Sequence, residues 1–164
     1  MRSAAWHSSG TDVLNGSTMI GTEVLHHDAI IRSGACIEWT IKVEEDCSST
    51  WIGVASTAHE LAPDKWLGSQ EGGWAYSSKG SVFYAHTAIN LPYVPPHFAS
   101  GTEVTMQLDL RDRGTLSVTI SGKSHILFRN MLAAFREDQE IGFLPAVTLT
   151  TPGKVRFMEF CRID

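Results

Sequence analysis

Cys36-Ile37-Glu38-Trp39-Thr40-Ile41-Lys42-Val43 is the stretch that decides the fold. Its apolar residues Ile37, Trp39, Ile41 and Val43 alternate with Glu38, Thr40 and Lys42. Successive side chains of a strand point to opposite faces, so a period of two predicts a strand with one face buried and one in water. A helix would instead repeat its apolar residues every three or four positions. The same alternation recurs in Glu103–Leu110, where Val104, Met106, Leu108 and Leu110 share a side, and again in Leu116, Val118 and Ile120. Between these two runs stands Arg111-Asp112-Arg113-Gly114, a polar segment ending in glycine that reads as a hairpin turn.

Working outward, runs rich in strand formers cover Met19–Leu25, Thr50–Ala55, Trp74–Ser77, Val82–His86, His125–Phe128, Leu144–Leu149 and Lys154–Phe160. Asn15-Gly16, between short apolar stretches, reads as another tight turn. Pro92, Pro95 and Pro96 mark a loop, because proline cannot donate to a sheet ladder. Met131–Glu137 is the one segment that reads as helical, for about two turns. Many short strands joined by turn signals imply an all-β fold, an antiparallel sandwich or barrel. There is no internal repeat, low-complexity tract or linker, so residues 1–164 are expected to form one domain.

A chain of 164 residues buries roughly 70% of its unfolded surface, enough for a core without staples. Its 43% hydrophobic and 19% charged residues argue against disorder. The net charge is −5 and the 13 Lys and Arg residues are scattered, whereas phosphate binding needs them clustered. No nucleic-acid partner is therefore expected. Cys36, Cys47 and Cys161 contain no C-x-x-C pair, so they read as free thiols rather than as a disulfide framework or zinc site. Met1–Gly10 lacks the charged-then-apolar order of a secretory signal, and no apolar run is long enough to cross a bilayer. These readings favour a cytoplasmic or nuclear monomeric domain, possible also as a module of a larger protein, with no membrane partner.

The motifs that carry chemistry elsewhere fail here on spacing. Ser121-Gly122-Lys123-Ser124 holds the end of a phosphate-binding loop, but Ser117 stands where that loop needs glycine, and a strand rather than a helix follows. It reads as a hairpin turn. His26 and His27 are adjacent, so on a strand they point to opposite faces and do not readily share an ion. His59, His86, His97 and His125 are isolated, and no nucleophile elbow occurs. Glu44-Glu45-Asp46 reads as a solvated turn. Trp39, Trp51 and Trp74 lie in or at the start of strands and are expected in the core, while Trp66 reads as the anchor of the loop before it or, as the alternative, as part of a binding surface. Tyr84, Tyr93, His97 and Phe98 gather around loops, where amphipathic rings make good interface anchors. No catalytic residue, metal ligand or cofactor is expected.

Read in order, several segments resemble the SPRY (B30.2-like) domain family. They are Trp51-Ile52-Gly53-Val54-Ala55, His59-Glu60-Leu61-Ala62-Pro63, Trp66-Leu67-Gly68-Ser69, and Gly73-Trp74-Ala75-Tyr76 with Gly80. Farther on come Val104–Leu110, Gly114-Thr115-Leu116-Ser117, Phe143-Leu144-Pro145-Ala146-Val147 and Val155-Arg156-Phe157. The resemblance covers roughly residues 18–160, and the Trp66 region is further similar to the SPRY domains of SOCS-box ubiquitin-ligase adaptors. It implies a two-sheet antiparallel β-sandwich, jelly-roll-like, that binds a peptide or folded protein through a rim of loops, as a substrate receptor or scaffold.

By match to the adaptor pattern, the partner-binding residues are Ser56 and Thr57 after one strand end, Tyr84 as an aromatic wall, and Thr150 and Thr151 on the far side. His26 and His27 are placed beside them. The loop Thr150-Thr151-Pro152-Gly153 departs from that pattern in having no aromatic. An alternative of another class is a lectin-like sandwich that binds glycans or small molecules, since fold alone does not fix function. Its loops would carry clustered Asp and Asn, and this chain has only Asn15, Asn90 and Asn130.

Overall fold

The computed structural model describes residues 5–6, 13–16, 24–27, 30–45, 50–59, 65–149 and 153–164. In chain order its strands are β1 (Ala5–Trp6), β2 (Val13–Gly16), β3 (Val24–His27), β4 (Ile31–Arg32) and β5 (Cys36–Glu45). Next come β6 (Thr50–Ser56), β7 (Gly73–Ser77), β8 (Val82–Tyr84), β9 (Thr87–Ala88) and β10 (Glu103–Asp109). The last are β11 (Thr115–Ile120), β12 (Lys123–Phe128), β13 (Gly142–Leu149) and β14 (Gly153–Arg162). One sheet runs β1-β3-β13-β6-β7-β8-β9, with β4 also against β13. The other runs β12-β11-β10-β5-β14-β2. All pairings are antiparallel except β1 with β3. The fold is thus an all-β two-sheet sandwich, one of the two architectures the alternating runs allow and the one the resemblance implies.

The second sheet has one dry and one wet face. Trp39, Met106 and Val118 fall opposite one another across β5, β10 and β11, and all three are buried. On the reverse face Thr40 pairs with Thr105, their hydroxyl oxygens 2.9 Å apart. Cross-strand pairs of this kind fix the register, because a slip of one residue would turn every apolar side chain to water.

The first sheet is different, because β6 is buried along its whole length. Ile52 and Val54 enter the main core, while Trp51 and Ala55 join a second cluster with Leu67, Ala75 and Ala146. That cluster lies on the outer face, under the short 3-10 turn Leu67–Ser69. Trp66 stacks on Trp51 with ring centroids 4.4 Å apart, and the Phe83 ring meets both edge-on. The covering segment sits close because its floor is made of small residues. A Cβ added at Gly73 would lie 1.8 Å from the Leu67 carbonyl oxygen, and one at Gly68 2.7 Å from the Trp66 ring. The Leu67 amide donates to buried Thr148 Oγ1 at 3.1 Å, so the cover is hydrogen-bonded to the sheet as well as packed on it. Trp66 packs onto the sheet through Trp51, the loop before it (60–64) lies outside the described residues, and Trp39, Trp51 and Trp74 are buried.

Three local expectations change, and a fourth lies mostly outside the described residues. Asn15-Gly16 is not a tight turn but the end of β2, paired with Lys154 and Gly153 of β14. Met131–Glu137 shortens to the 3-10 turn Met131–Ala134. There the amides of Met131 and Leu132, which a helical ladder leaves open, donate to the Gly114 and Arg113 carbonyls, and the turn ends at Phe135, whose backbone is extended. Val82–His86 breaks at Tyr84: Ala85 and His86 have φ of 49° and 63° and form a two-residue turn into β9. Within Met19–Leu25, residues 19–23 lie outside the described residues, and the strand that follows runs on to His27. The hairpin read at Ser121-Gly122 is present, joining β11 to β12.

Gly73→Ala and Gly122→Ala separate packing from backbone strain. Gly122 has φ of 77° but open space around it, so alanine there costs about 1 kcal/mol of left-handed strain. Alanine at Gly73 meets backbone and forces the cover off the sheet, at a cost of about 2–3 kcal/mol or more. Urea denaturation of both variants is expected to give that order.

Candidate functional site

The register of the first sheet decides which nominated residues meet. Ser56 pairs with Phe143 at one end of β6, and Trp74, one strand over, pairs with Tyr84. The Ser56 amide donates to the Gly72 carbonyl at 2.7 Å, and the Thr57 amide to the Gly142 carbonyl at 2.8 Å. Ser56, Thr57 and Tyr84 therefore share one end of the sheet. Thr150 and Thr151 lie outside the described residues. Leu149, which precedes them, pairs with Thr50 at the other end of β6, roughly 20 Å from Ser56 at about 3.3 Å per residue. The backbone of His26 pairs with Ala146, placing β3 on the side of β13 away from β6.

Within the shared end the residues have different parts. Ser56 is only 3% exposed, and its hydroxyl accepts the Ala58 amide at 3.1 Å, so it shapes the turn from below. Thr57 is exposed. Tyr84 is half-buried, stacked on Trp74 with ring centroids 4.6 Å apart. Trp74 in turn meets Phe143 edge-on at 5.4 Å, and Phe135 lies 6.0 Å away. The Tyr84 ring is thus both a wall of the surface and the outermost layer of an aromatic stack. His59 stands beside this stack, 6.0 Å from Phe135 and against Gly72.

Tyr84 is aimed by a strained turn. Left-handed φ costs an alanine or histidine roughly 1–2 kcal/mol, so Ala85 and His86 hold it only because the surroundings insist. The His86 amide donates to the Gly68 carbonyl at 2.9 Å, tying the hairpin to the segment that covers β6.

Beyond Tyr84 an apolar cavity of about 480 Å³ opens between the edges of the two sheets. Ile89, Leu91 and Tyr93 line one side, and Ile126, Phe128 and Met131 the other. The Tyr93 hydroxyl donates to the Ile126 carbonyl, bridging the edges. Sequence reasoning placed Tyr93 near an interface but missed the residues from β12 and the following turn. They carry no motif, and only the sandwich brings them to Tyr84. Phe98, read as an interface anchor, is instead buried against Tyr76 at 5.3 Å. Among the described residues no group of three His, Cys, Asp or Glu side chains is placed to hold a metal ion. No helix among them is long and apolar enough to cross a membrane.

Residues 37–162 match the family model of the SPRY domain. Among solved structures, the chain is similar to the SPRY domain of human HERC1. The two superpose with a TM-score of 0.70 and 19% sequence identity, covering 92% of this chain and 89% of that one. At that identity the likeness speaks for the fold. No curated protein matches the chain.

The site also titrates in a defined direction. Burial pushes the phenols of Tyr76, Tyr84 and Tyr93 above the ordinary tyrosine value, and the Glu71 carboxylate raises Tyr84 further. A phenol whose folded pKa exceeds its unfolded value of about 10 stays protonated in the native state while the unfolded chain ionises. Stability is then fully present below about pH 10 and falls as pH rises through the native values. These are the chain's three tyrosines, so ultraviolet absorbance reads all of them. The native curve is expected to lie at higher pH than that of the urea-unfolded chain, and superimposable curves would contradict the burial of these rings.

Proposed function

The chain belongs to the SPRY domain family, and from that premise we propose that the sheet end carrying Thr57 and Tyr84 grips a protein or peptide partner without catalysis. SPRY domains are generally non-catalytic protein–protein interaction modules. The observation that carries the reading further is the Tyr84 ring, which is half-buried on Trp74 and forms the near wall of a preformed apolar opening. A rigid aromatic anchor beside exposed loop residues is the arrangement in which a few side chains supply most of the binding energy. Because the stack and the tied turn already hold Tyr84 in place, little ordering entropy opposes association.

In this reading Thr57 and Tyr84 touch the partner, and Ser56 positions them from beneath. His26, His27, Thr150 and Thr151 would extend the surface across the sheet. The module acts as a monomeric cytoplasmic or nuclear domain, one unit over residues 1–164. It serves as a substrate receptor in a ubiquitin ligase or as a scaffold in another assembly.

Affinity capture from cell extract, followed by mass spectrometry, tests this with two variants. Thr57→Arg places a bulky cation at an exposed position and is expected to abolish capture with the melting temperature unchanged. Tyr84→Ala is expected to abolish capture and also to cost about 1–2 kcal/mol, because half of the ring is packed. Undiminished capture by both variants would refute the assignment.

A further inference from the structure

The cavity between the sheet edges has apolar walls and a single charged residue, Arg129, next to Asn130. Both are exposed. Among the described residues no carboxylate lies within ion-pair distance of Arg129, whereas Arg32, Arg111, Arg136, Arg156 and Arg162 each have one. The guanidinium lies close enough to Tyr93 to favour its ionised form. The other cavity wall, at Tyr84, has the Glu71 carboxylate near it. Arg129 therefore makes the rim of the opening beside β12 positive.

Two further features bear on what fits there. β12 is the last strand of its sheet, so one of its backbone edges has no strand partner among the described residues. Leu127 and Phe128 of β12 line the cavity, and the Ile126 carbonyl beside them already accepts the Tyr93 hydroxyl. Val94, next to the lining residue Tyr93, is 82% exposed and continues the apolar surface outward. Open strand edges bind extended chains through the main chain, while pockets beside them select side chains.

We propose that this cavity receives an extended peptide that inserts one bulky apolar side chain and sets an adjacent Asp or Glu carboxylate on Arg129. The volume of about 480 Å³ lies within the range of ordinary ligand pockets. A guanidinium at the lip of an apolar opening makes charge-assisted, bidentate bonds to a carboxylate, and a lysine on the partner would meet repulsion instead. Acidic neighbours thus select, and the apolar side chain anchors. This deepens the recognition role proposed above and rests on it.

The probe is a fluorescein-labelled peptide, Gly-Ser-Asp-Phe-Asp-Ser-Gly, compared by anisotropy with a version carrying Ala for Phe and one carrying Lys for both Asp. The parent peptide is expected to bind at least about tenfold more tightly than either. Arg129→Glu is expected to remove the preference for Asp over Lys, and Ala134→Trp, which fills the mouth, to abolish binding, both with melting temperatures near that of the unaltered chain. Binding that survives Ala134→Trp, or an Asp preference unchanged in Arg129→Glu, would overturn the proposal. So would decanoate occupying the cavity while the peptides do not bind. If Ala134→Trp still captures the cellular partner and Thr57→Arg does not, the recognition role stands and this site does not. Capture unaffected by either variant would remove both.

Discussion

β6 has no wet face, and most of the molecule follows from that. A strand at the middle of a sheet usually buries one side against the opposing sheet and leaves the other to water. Here Trp51 and Ala55 point away from the main core, and their burial requires a cover. Leu67–Ser69 supplies it, and the close fit requires small residues on both sides, Ala75, Ala146 and Gly73 in the sheet and Gly68 in the cover itself. The Trp51–Trp66 stack is the visible sign of this arrangement, worth about 0.5–1.5 kcal/mol beyond the area it buries.

The cover reaches Tyr84 through one hydrogen bond. The Gly68 carbonyl accepts the His86 amide, so the segment that closes the outer face also holds the strained turn that aims Tyr84. On the inner face Tyr84 rests on Trp74, and Trp74 on Phe143. Both faces of the sheet therefore converge on the orientation of a single ring. Where β9 and β12 end their respective sheets, the Tyr93 hydroxyl ties the loop after β9 to β12, and the apolar space left between them is the cavity. A scaffold of this stiffness can carry a preformed site without ordering loops on binding.

How much of this was legible in the sequence depends on solvent. β5, β10 and β11 each keep one face in water, and their alternation gave them away almost to the residue. Trp51–Ala55 read as a strand, but a continuous apolar run does not say what covers its outer side. The turn at Ala85-His86 left no trace, because it uses neither glycine nor asparagine and is held by a distant carbonyl. Met131–Glu137 read as two helical turns, but the backbone turns extended at Phe135, whose ring packs on Trp74 and Phe143 from distant strands. The candidate site was half legible. Tyr84 and Thr57 came from the family pattern, while Arg129 became visible only when three separate segments were brought together around one cavity.

Hydrogen exchange of the β6 and β7 amides tests the central claim, that the doubly covered sheet is the rigid base of the site. In the intact chain the amides of Ile52–Ala55 and Trp74–Tyr76 are expected to exchange only through global unfolding, with protection matching the stability from urea denaturation. In Trp66→Ala the His86 amide is expected to lose protection together with β6. Fast local exchange in β6 of the intact chain, or a His86 amide indifferent to the loss of Trp66, would contradict the account.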